Sequence, residues 1–506
     1  MSKDHLLPLA SAVIFVALIL VSVPVAIGFL ALNILLGTTI GLTRISVARK
    51  KKYPMPTPGL RKQPKVSIHV PCYNEPPELL IATLNSLAKL DYENYEVIVL
   101  DNNTPDPKVY LPVQEYCATL GDKFRFYHYS NVQGFKAGAL NIAHKLTAED
   151  AEFILVIDAD YVLEPNLLQR ALPHFADSEV GLVQFPQAYL NTGSRNSGLQ
   201  AEYEHFFSVY MNMANHCNCV LATGTVCFIR REALEAAGLW FGKSITEDVE
   251  LGLNIKRAGY KGIYVPEPLG RGLMPTDLSS LSVQRERWVY GNMQTLIDFL
   301  KDVRSYSFGE VRTIVLFLTA WFNFLLLPML GLVVLCVAVP LGYSPESARL
   351  IGGVAAAGIG LELLLSLVFF LSIRRSAGFG STEKKLAAYL THLGLSFEGA
   401  INWIKVPLFP NMPFKRTNKF LSLGISGLQL SKAWIFAAVL LLSAMLLFTS
   451  APGLLFLCVT AAVLLLGSAY YLTRQIEATR HESELHYESS ASAGQSMATL
   501  PLSIKI

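Results

Sequence analysis

Residues 153–160 read Phe-Ile-Leu-Val-Ile-Asp-Ala-Asp, five apolar residues followed by two carboxylates one residue apart. The apolar run is typical of a strand buried on both faces, as in a parallel sheet. Alternate side chains of an extended segment share a face, so Asp158 and Asp160 are expected to point into one cleft. Two hard carboxylates at a strand end suit Mg²⁺ or Mn²⁺. A pair of solvated turn acids is the alternative interpretation.

Other short β-branched runs alternate with helical patterns and predict a doubly wound, mostly parallel sheet. The predicted strands are Val66–Val70, Tyr95–Asp101, Phe124–Tyr129, Phe153–Asp158 and Val180–Phe185. In such sheets ligands bind at the carboxyl ends of the strands. Asn74 and Glu75 follow the first predicted strand and Asp101 ends the second, so polar side chains are expected to converge at this edge.

Three further segments carry side chains suited to a phosphorylated ligand. Lys136 precedes an apolar-periodic helix, where a cation and free backbone N–H groups would meet a phosphate, although a surface lysine is equally compatible. Thr246-Glu247-Asp248 opens another helix, and acids beside an N-cap alone explain that pattern. Gln284-Arg285-Glu286-Arg287-Trp288 precedes an apolar region, where a Trp is usually an interfacial anchor.

Composition separates this chain from wholly soluble proteins, because 52% of its 506 residues are hydrophobic and only 16% are charged. A net charge of +3 is too small to predict a nucleic-acid partner. The seven cysteines are scattered without a CxxC pair, which argues against a disulfide framework. His216, Cys217 and Cys219 lie close together, but no second ligand pair supports a zinc site.

The apolar residues concentrate in the first 45 or so positions and after about residue 311. Residues 6–46 are longer than the ~20 residues of one span, so two spans turning near Pro24 are expected, rather than a signal peptide. Later apolar runs at about 311–341, 350–373, 431–450 and 453–472 bring the predicted total to six spans.

Basic residues set the predicted orientation, since Arg44, Arg49 and Lys50–Lys52 follow the first apolar region. The positive-inside rule then places the central domain in the cytosol of a multi-pass cell-membrane protein. The apolar segment 386–411 contains Glu398 and Lys405 and is expected to lie in the membrane interface. The predicted division is an N-terminal transmembrane hairpin (1–52), a catalytic domain (53–300), C-terminal membrane helices (301–473) and a disordered cytosolic tail (474–506).

The order of these motifs resembles that of the processive family 2 glycosyltransferases: the cellulose, curdlan, chitin and hyaluronan synthases. The likeness covers roughly residues 60–300 closely and the membrane region loosely. It implies an α/β GT-A domain, Rossmann-like and inserted between transmembrane helices, that uses a UDP-sugar and a divalent metal. An inverting, processive synthase that makes a β-glucan from UDP-glucose and exports it through its own helices is the leading expectation. UDP-N-acetylglucosamine as donor and single transfer to a membrane lipid are the alternatives.

The same resemblance implies roles for individual residues. Asp248 is the implied general base beside Glu247, and Asp158 and Asp160 are the implied metal ligands. The implied nucleotide-sugar contacts are Asn74, Glu75, Asp101, Lys136, Asp158, Gln284 and Arg287. The implied contacts to a growing polysaccharide are Trp288, Gly224 and Thr225, and segments 184–187 and 222–225 match the family's acceptor-binding segments. Residues 413–420 resemble the gating loop of cellulose synthase through Phe414, Arg416, Thr417 and Lys419, with a simple positive-inside cluster as the alternative.

Overall fold

A computed structural model describes residues 22–49, 63–326, 328–329, 332, 344–374, 379–400, 402–408, 431–447 and 452–492. An α/β domain occupies roughly residues 63–300, between one apolar helix that precedes it and a group of helices that follows it. The four residues predicted to form a gating loop, Phe414, Arg416, Thr417 and Lys419, lie outside the described residues.

The central sheet is formed, among the described residues, by β1 Lys65–Cys72, β2 Tyr95–Asn102, β3 Phe124–Tyr129, β4 Ala151–Val156, β6 Val180–Gln184, β8 Cys227–Arg230 and β9 Lys261–Tyr264. These seven strands lie in the order β3-β2-β1-β4-β8-β6-β9. Only β8 runs antiparallel to its neighbours β4 and β6. A smaller sheet has the order β5-β10-β7, formed by Val162–Leu163, Gly270–Gly272 and Ala188–Tyr189.

Helices cover both faces of the large sheet. In the α/β domain they are α2 Pro77–Leu87, α3 Pro107–Thr119, α4 Phe135–Leu146, α5 Leu167–Ala171, α6 Ser197–His205, α7 Asn212–Asn215, α8 Arg231–Ala236, α9 Glu247–Arg257 and α10 Leu278–Leu300. Val97 and Val99 of β2 pack into one apolar cluster, whereas Ile98 and Leu100 pack into another. Burial on both faces explains the continuous apolar runs and confirms the predicted doubly wound sheet.

The sequence prediction missed β8, β9 and the small sheet, because strands of two to four residues are too short to show a period. It also extended β4 too far. The strand ends at Val156, and Tyr161 N–H donates to the carbonyl of Asp158 at 3.2 Å. The two carboxylates therefore lie on a turn after the strand rather than on alternate positions of it.

Within the described part of the chain, three helices are long and apolar enough to cross a membrane: residues 23–48, 350–372 and 455–484. The helices outside the α/β domain are α1 Val23–Ala48, α11 Phe308–Leu318, α12 Pro345–Ser372, α13 Thr382–Ser396, α14 Asn402–Leu408, α15 Ala433–Leu447 and α16 Pro452–Ser492. The first half of the predicted N-terminal hairpin lies outside the described residues, while its second half forms α1.

The run predicted as a span over 311–341 is not one continuous helix, because α11 ends at Leu318. The Thr319 hydroxyl bonds back to the carbonyl of Val315 at 2.7 Å, and Arg44 of α1 donates to the carbonyl of Thr319. A helix end leaves free carbonyls, and an arginine can satisfy one of them. Arg44 is therefore buried against the helix end, and not on a basic surface as its cluster had suggested.

The segment expected in the membrane interface forms two helices, α13 and α14. They are separated around Gly399, where a Cβ would lie 2.9 Å from Val289 and 3.1 Å from the carbonyl of Arg285. The ring of Trp403 stacks on Phe322 with centroids 6.3 Å apart. The break in this segment thus brings it close against α10 of the α/β domain.

The prediction of a disordered tail from residue 474 is wrong for the described part, since α16 continues to Ser492. Gln475, Thr479 and Ser483 recur every fourth residue, so they lie on one helix face. Gln475 accepts from the backbone N–H groups of residues 198 and 199 at 2.8 and 3.1 Å, and Asn196 donates to Thr479 at 3.0 Å. This polar face is buried against the α/β domain, although its polar composition had suggested exposure to solvent.

Replacing Gln475 by Ala should destabilise the protein, because the two buried N–H groups that it satisfies would lose their acceptor. The expected cost is about 1–3 kcal/mol, measured as a lower thermal midpoint of the purified protein in detergent. Glu477→Ala is the matched control, since Glu477 lies on the exposed side of the same helix. Equal midpoints for the two variants would contradict the docking role of Gln475.

Candidate active site

A cavity of about 450 Å³ opens at the carboxyl ends of β1, β2 and β4. Many of the predicted site residues line it, together with aromatic residues from α6, α10 and the end of α11. The lining includes Tyr73, Glu75, Asn102, Lys136, Asp158, Asp160, Tyr203, Phe206, Gly224, Glu247, Asp248, Gln284, Arg287, Trp288, Phe317 and Trp321. Polar and charged groups thus share one cavity with a group of aromatic rings.

Lys136 connects the acidic residues of this cavity. Its Nζ donates to Asp158 Oδ1 at 2.6 Å and to the carbonyl of Gly224 at 2.8 Å. Burial opposes the charge on Lys136, but the nearby carboxylates of Asp158 and Glu247 raise its pKa overall. The lysine therefore remains a cation in the centre of the site, where an anionic ligand would meet it.

Asp158 and Asp160 differ in their surroundings although both line the cavity. The side chain of Asp158 is 32% exposed and its carboxylate contacts Lys136, so it can change partners when a ligand enters. Asp160 is buried, and its Oδ2 accepts from the backbone N–H of Leu273 at 3.0 Å. Two carboxylates at the cavity wall fit a divalent cation by their hard oxygen donors, and Asp158 is the more accessible ligand.

Asp248 lies in the first turn of α9, against the loop that contains Gly224. A Cβ at residue 224 would lie 3.0 Å from Asp248 Oδ2, and the φ of +88° at this residue also favours glycine. Burial, followed by the neighbouring charge of Glu247, raises the pKa of Asp248 to about 7, while Lys136 acts in the opposite direction. A carboxyl group with such a pKa can accept a proton near neutral pH.

Gln284, Arg287 and Trp288 lie three and four residues apart on α10, so they share the face of the helix that lines the cavity. Gly291, farther along α10, lies against Thr246 at the N-terminal end of α9. A Cβ there would lie 2.4 Å from the Thr246 hydroxyl oxygen, so only glycine allows this packing. The close contact fixes the position of the Gln284-to-Trp288 segment relative to Asp248.

Three predicted ligand residues are not among those that line the cavity. Asp101 is buried, where its carboxylate accepts from Thr104 at 2.6 Å and contacts His128 Nδ1 at 2.8 Å. Thr225 is also buried, and its hydroxyl accepts from the backbone N–H of Asp158 at 3.0 Å. Asn74 has a φ of 51° and donates its backbone N–H to Thr104. These residues support the cavity wall, and their predicted ligand contacts stay predictions.

The two predicted acceptor segments contact each other directly. Gln187 Nε2 donates to the carbonyl of Thr223 at 2.5 Å, and Gln184 Oε1 accepts from the backbone N–H of Thr223 at 2.9 Å. Gln184 is fully buried, so its role is to hold the 223–226 segment. Thr223 and Gly224 then face the cavity.

Sequence reasoning missed the residues behind the aromatic side of the cavity. Arg285 was only an unassigned position of the Gln284-to-Trp288 motif, and its ion-pair partner Glu202 is 83 residues away. Tyr203 and Trp321 line the cavity from α6 and from the segment after α11. The available signal in the sequence was the position of Glu202 beside an aromatic run, because an acid that is buried with such residues needs a partner.

Comparisons with known proteins relate the α/β domain to an enzyme family. The family described as glycosyltransferase like family 2 matches residues 64–291. A UDP-forming cellulose synthase catalytic subunit from Xanthomonas axonopodis pv. citri is 28% identical over 251 residues, 48% of this chain and 33% of that protein. A beta-monoglucosyldiacylglycerol synthase from Trichormus variabilis is 30% identical over 290 residues, 55% of this chain and 59% of that protein. The chain thus spans about a third to three-fifths of the length of these relatives.

A solved structure shares the fold. The mannosyltransferase PcManGT from Pyrobaculum calidifontis, solved in complex with GDP-Man and Mn²⁺, superposes with a TM-score of 0.51 at 19% identity, covering 74% of this chain and 99% of that chain. The family match covers the residues that build the sheet edge and most of the cavity. Residues 64–291 of this chain therefore match the family described as glycosyltransferase like family 2, and the domain that they form has the GT-A fold.

Proposed function

We propose that this protein is an inverting, processive hexosyltransferase that extends a β-linked glucan from UDP-glucose. The observation that carries the proposal is the composition of one cavity, in which two cations, Lys136 and Arg287, and several carboxylates share the lining with a group of aromatic rings. The charged groups suit a nucleotide diphosphate and its metal, and the rings suit the flat faces of sugars. UDP-glucose is preferred because the cellulose synthase relative is described as UDP-forming.

The donor would bind beside Lys136 and Arg287, whose charges oppose those of a diphosphate. Asp158 and Asp160 would hold Mg²⁺ or Mn²⁺, which supplies positive charge to the leaving nucleotide. Lys136 now pairs with Asp158 at 2.6 Å, and it can transfer this contact to a phosphate when the carboxylate takes up a cation. Gln284, Glu75 and Asn102 line the same cavity and complete the polar surroundings of the donor.

Transfer would proceed by a single displacement. Asp248 removes the proton from an acceptor hydroxyl, the hydroxyl oxygen forms a bond to the anomeric carbon, and the bond from that carbon to the diphosphate breaks. The electron pair leaves with UDP, and the configuration at the anomeric carbon inverts. The pKa of about 7 at Asp248 suits this proton transfer, and Glu247 contributes by keeping that pKa raised.

The acceptor would contact the aromatic part of the cavity, with Trp288 nearest to the diphosphate-binding Arg287 in sequence. The rings of Tyr203 and Trp321 lie 6.0 and 5.1 Å from that of Trp288, measured between centroids. Such a continuous wall offers several faces to consecutive sugars. Trp321 follows α11, so the wall leads toward the apolar helices, and we infer that the product leaves between them from a cytosolic catalytic domain.

Transfer of one sugar to a membrane lipid is the second candidate. The relative from Trichormus variabilis is described as a synthase of a glucosylated diacylglycerol and matches 55% of this chain. Phe206, Phe317 and Trp321 form an apolar part of the cavity that also suits an acyl chain. UDP-N-acetylglucosamine remains the alternative donor for either acceptor.

Transfer activity should require a divalent metal, and Asp158 should be the chief ligand of that metal. Asp158→Asn removes an exposed hard ligand at nearly constant volume, so transfer should fall at least a hundredfold. Activity would be assayed at saturating Mg²⁺ or Mn²⁺ and after treatment with EDTA. Asp150→Asn is the control, because Asp150 forms an exposed ion pair with Lys65. Full activity of Asp158→Asn, or of the wild-type protein in EDTA, would contradict the assigned metal site.

The pH dependence of kcat/KM should report Asp248. Its carboxylate must be unprotonated, so activity should fall as the pH drops through about 7. Glu247→Gln removes a negative charge that raises this pKa, and the acid limb should therefore move to lower pH. Asp248→Asn should lower turnover by roughly 10²–10⁴-fold. An acid limb that stays in place in Glu247→Gln would exclude Asp248 as the titrating base.

Product length distinguishes the two candidate functions. Membranes containing the protein would receive radiolabelled UDP-glucose, and the products would be separated by size and digested with linkage-specific hydrolases. The proposal predicts a ladder or a high-mass polymer, which Trp288→Ala should abolish because a packed aromatic contact of about 3–5 kcal/mol is lost. A labelled lipid with one sugar as the sole product would support the second candidate.

A further inference from the structure

A buried ion pair lies behind the aromatic part of the cavity. Arg285 of α10 donates to the carboxylate of Glu202 on α6. Their side chains are 3% and 1% exposed, and neither residue lines the cavity. A buried ion pair contributes little to stability on average, because desolvation offsets the attraction. Stability alone therefore does not explain why this pair lies beside the aromatic rings.

Three aromatic rings surround the guanidinium of Arg285. Its central carbon lies 4.1 Å from the ring centroid of Trp321 and 4.8 Å from those of Tyr203 and Trp288. A planar cation attracts ring faces at such distances. The Nε and Nη1 atoms of Arg285 have no hydrogen-bond partner among the described residues, and Glu202 is the charged group that pairs with this cation.

The same three rings line the cavity from the other side. Tyr203 also donates its hydroxyl to Gln284 Oε1, so α6 and α10 are linked a second time at the cavity wall. Although burial opposes ionisation of Glu202, the charge of Arg285 and a hydrogen bond with His392 lower its pKa to about 2. The pair therefore stays charged over the whole physiological pH range.

A metal ion is the competing explanation for this cluster. Glu202, His205 and His392 each offer a ligand atom, and these atoms lie within 4.8 Å of one another. The guanidinium of Arg285 already neutralises the carboxylate, so a divalent cation would add two uncompensated charges to a buried site. Charge balance thus favours the ion pair without a metal.

We propose that Glu202, acting through Arg285, is a positioning residue that holds Tyr203, Trp288 and Trp321 as one acceptor-binding surface. The proposal rests on the acceptor role proposed above for these rings, and it assigns their arrangement to a charge that never touches the substrate. Arg285 is suited to this task because a lysine lacks the planar face that all three rings contact.

The test is the product-length distribution of Glu202→Gln and Arg285→Lys. Length depends on how often the acceptor dissociates between additions, so it does not change when only the fraction of folded enzyme falls. We expect mean length to drop at least fivefold in both variants, while the affinity for UDP, measured by calorimetry, stays within twofold of wild type. Unchanged length in Glu202→Gln would overturn the proposal.

Glu96→Gln is the matched control. Glu96 pairs with Arg125 on β2 and β3, so this change also neutralises one partner of an ion pair, but away from the cavity lining. Product length should stay at the wild-type value. A shortening equal to that of Glu202→Gln would show that loss of any such pair has this effect, and would refute the specific role of Glu202.

The double variant Glu202→Met with Arg285→Met separates positioning from charge balance. It removes both charges of the pair, so folding should recover, but the cation that the rings face is gone and the products should remain short. Wild-type length in this variant would overturn the proposal. If wild-type protein adds only one sugar to a lipid, polymer synthesis is refuted. The positioning role then stands if the acceptor KM rises at least fivefold in Glu202→Gln, and falls if it does not.

Discussion

Repulsion among acidic groups at one edge of the sheet is the constraint on which the active site depends. Asp158, Glu247 and Asp248 come from two different elements and converge around the Nζ of Lys136. Without a cation, the burial that raises the pKa of Asp248 would act together with the neighbouring charge of Glu247. Lys136 offsets part of both effects, so the acids can lie close together around it.

Helix α10 connects this electrostatic centre to the apolar helices. Its Gly291 allows contact with Thr246 at the start of α9, and its Arg287 and Trp288 face the cavity. On the opposite side, Lys432 donates to Glu286 at 2.6 Å, and Ser282 donates to the buried Glu398 at 2.7 Å. One helix therefore fixes the distance between the acidic residues, the aromatic wall and the segments that follow the α/β domain.

The sequence was sufficient for the features that rest on local pattern. Continuous apolar runs predicted the parallel strands, and motif order predicted that Lys136, Asp158 and Asp248 share a site. It was insufficient where a side chain finds its partner only through folding. Asp101 turned inward to Thr104 and His128, Arg44 became buried at the end of α11, and Glu202 met Arg285 across 83 residues. None of these outcomes leaves a periodic signal.

A disordered tail was predicted where α16 instead contacts the α/β domain, and these contacts specify how that domain is oriented on the apolar helices. Apolar contact is not directional, so the α/β domain could rotate on a purely apolar support without losing much burial. Gln475, Thr479 and Ser483 accept hydrogen bonds from the 191–199 segment and so fix one orientation, and the three residues lie on a helix that continues from an apolar span. The aromatic wall combines Tyr203 and Trp288 of the domain with Trp321 beyond it. A wall built from both parts is complete only in a fixed orientation, so the polar contacts of α16 bear directly on the proposed acceptor-binding surface.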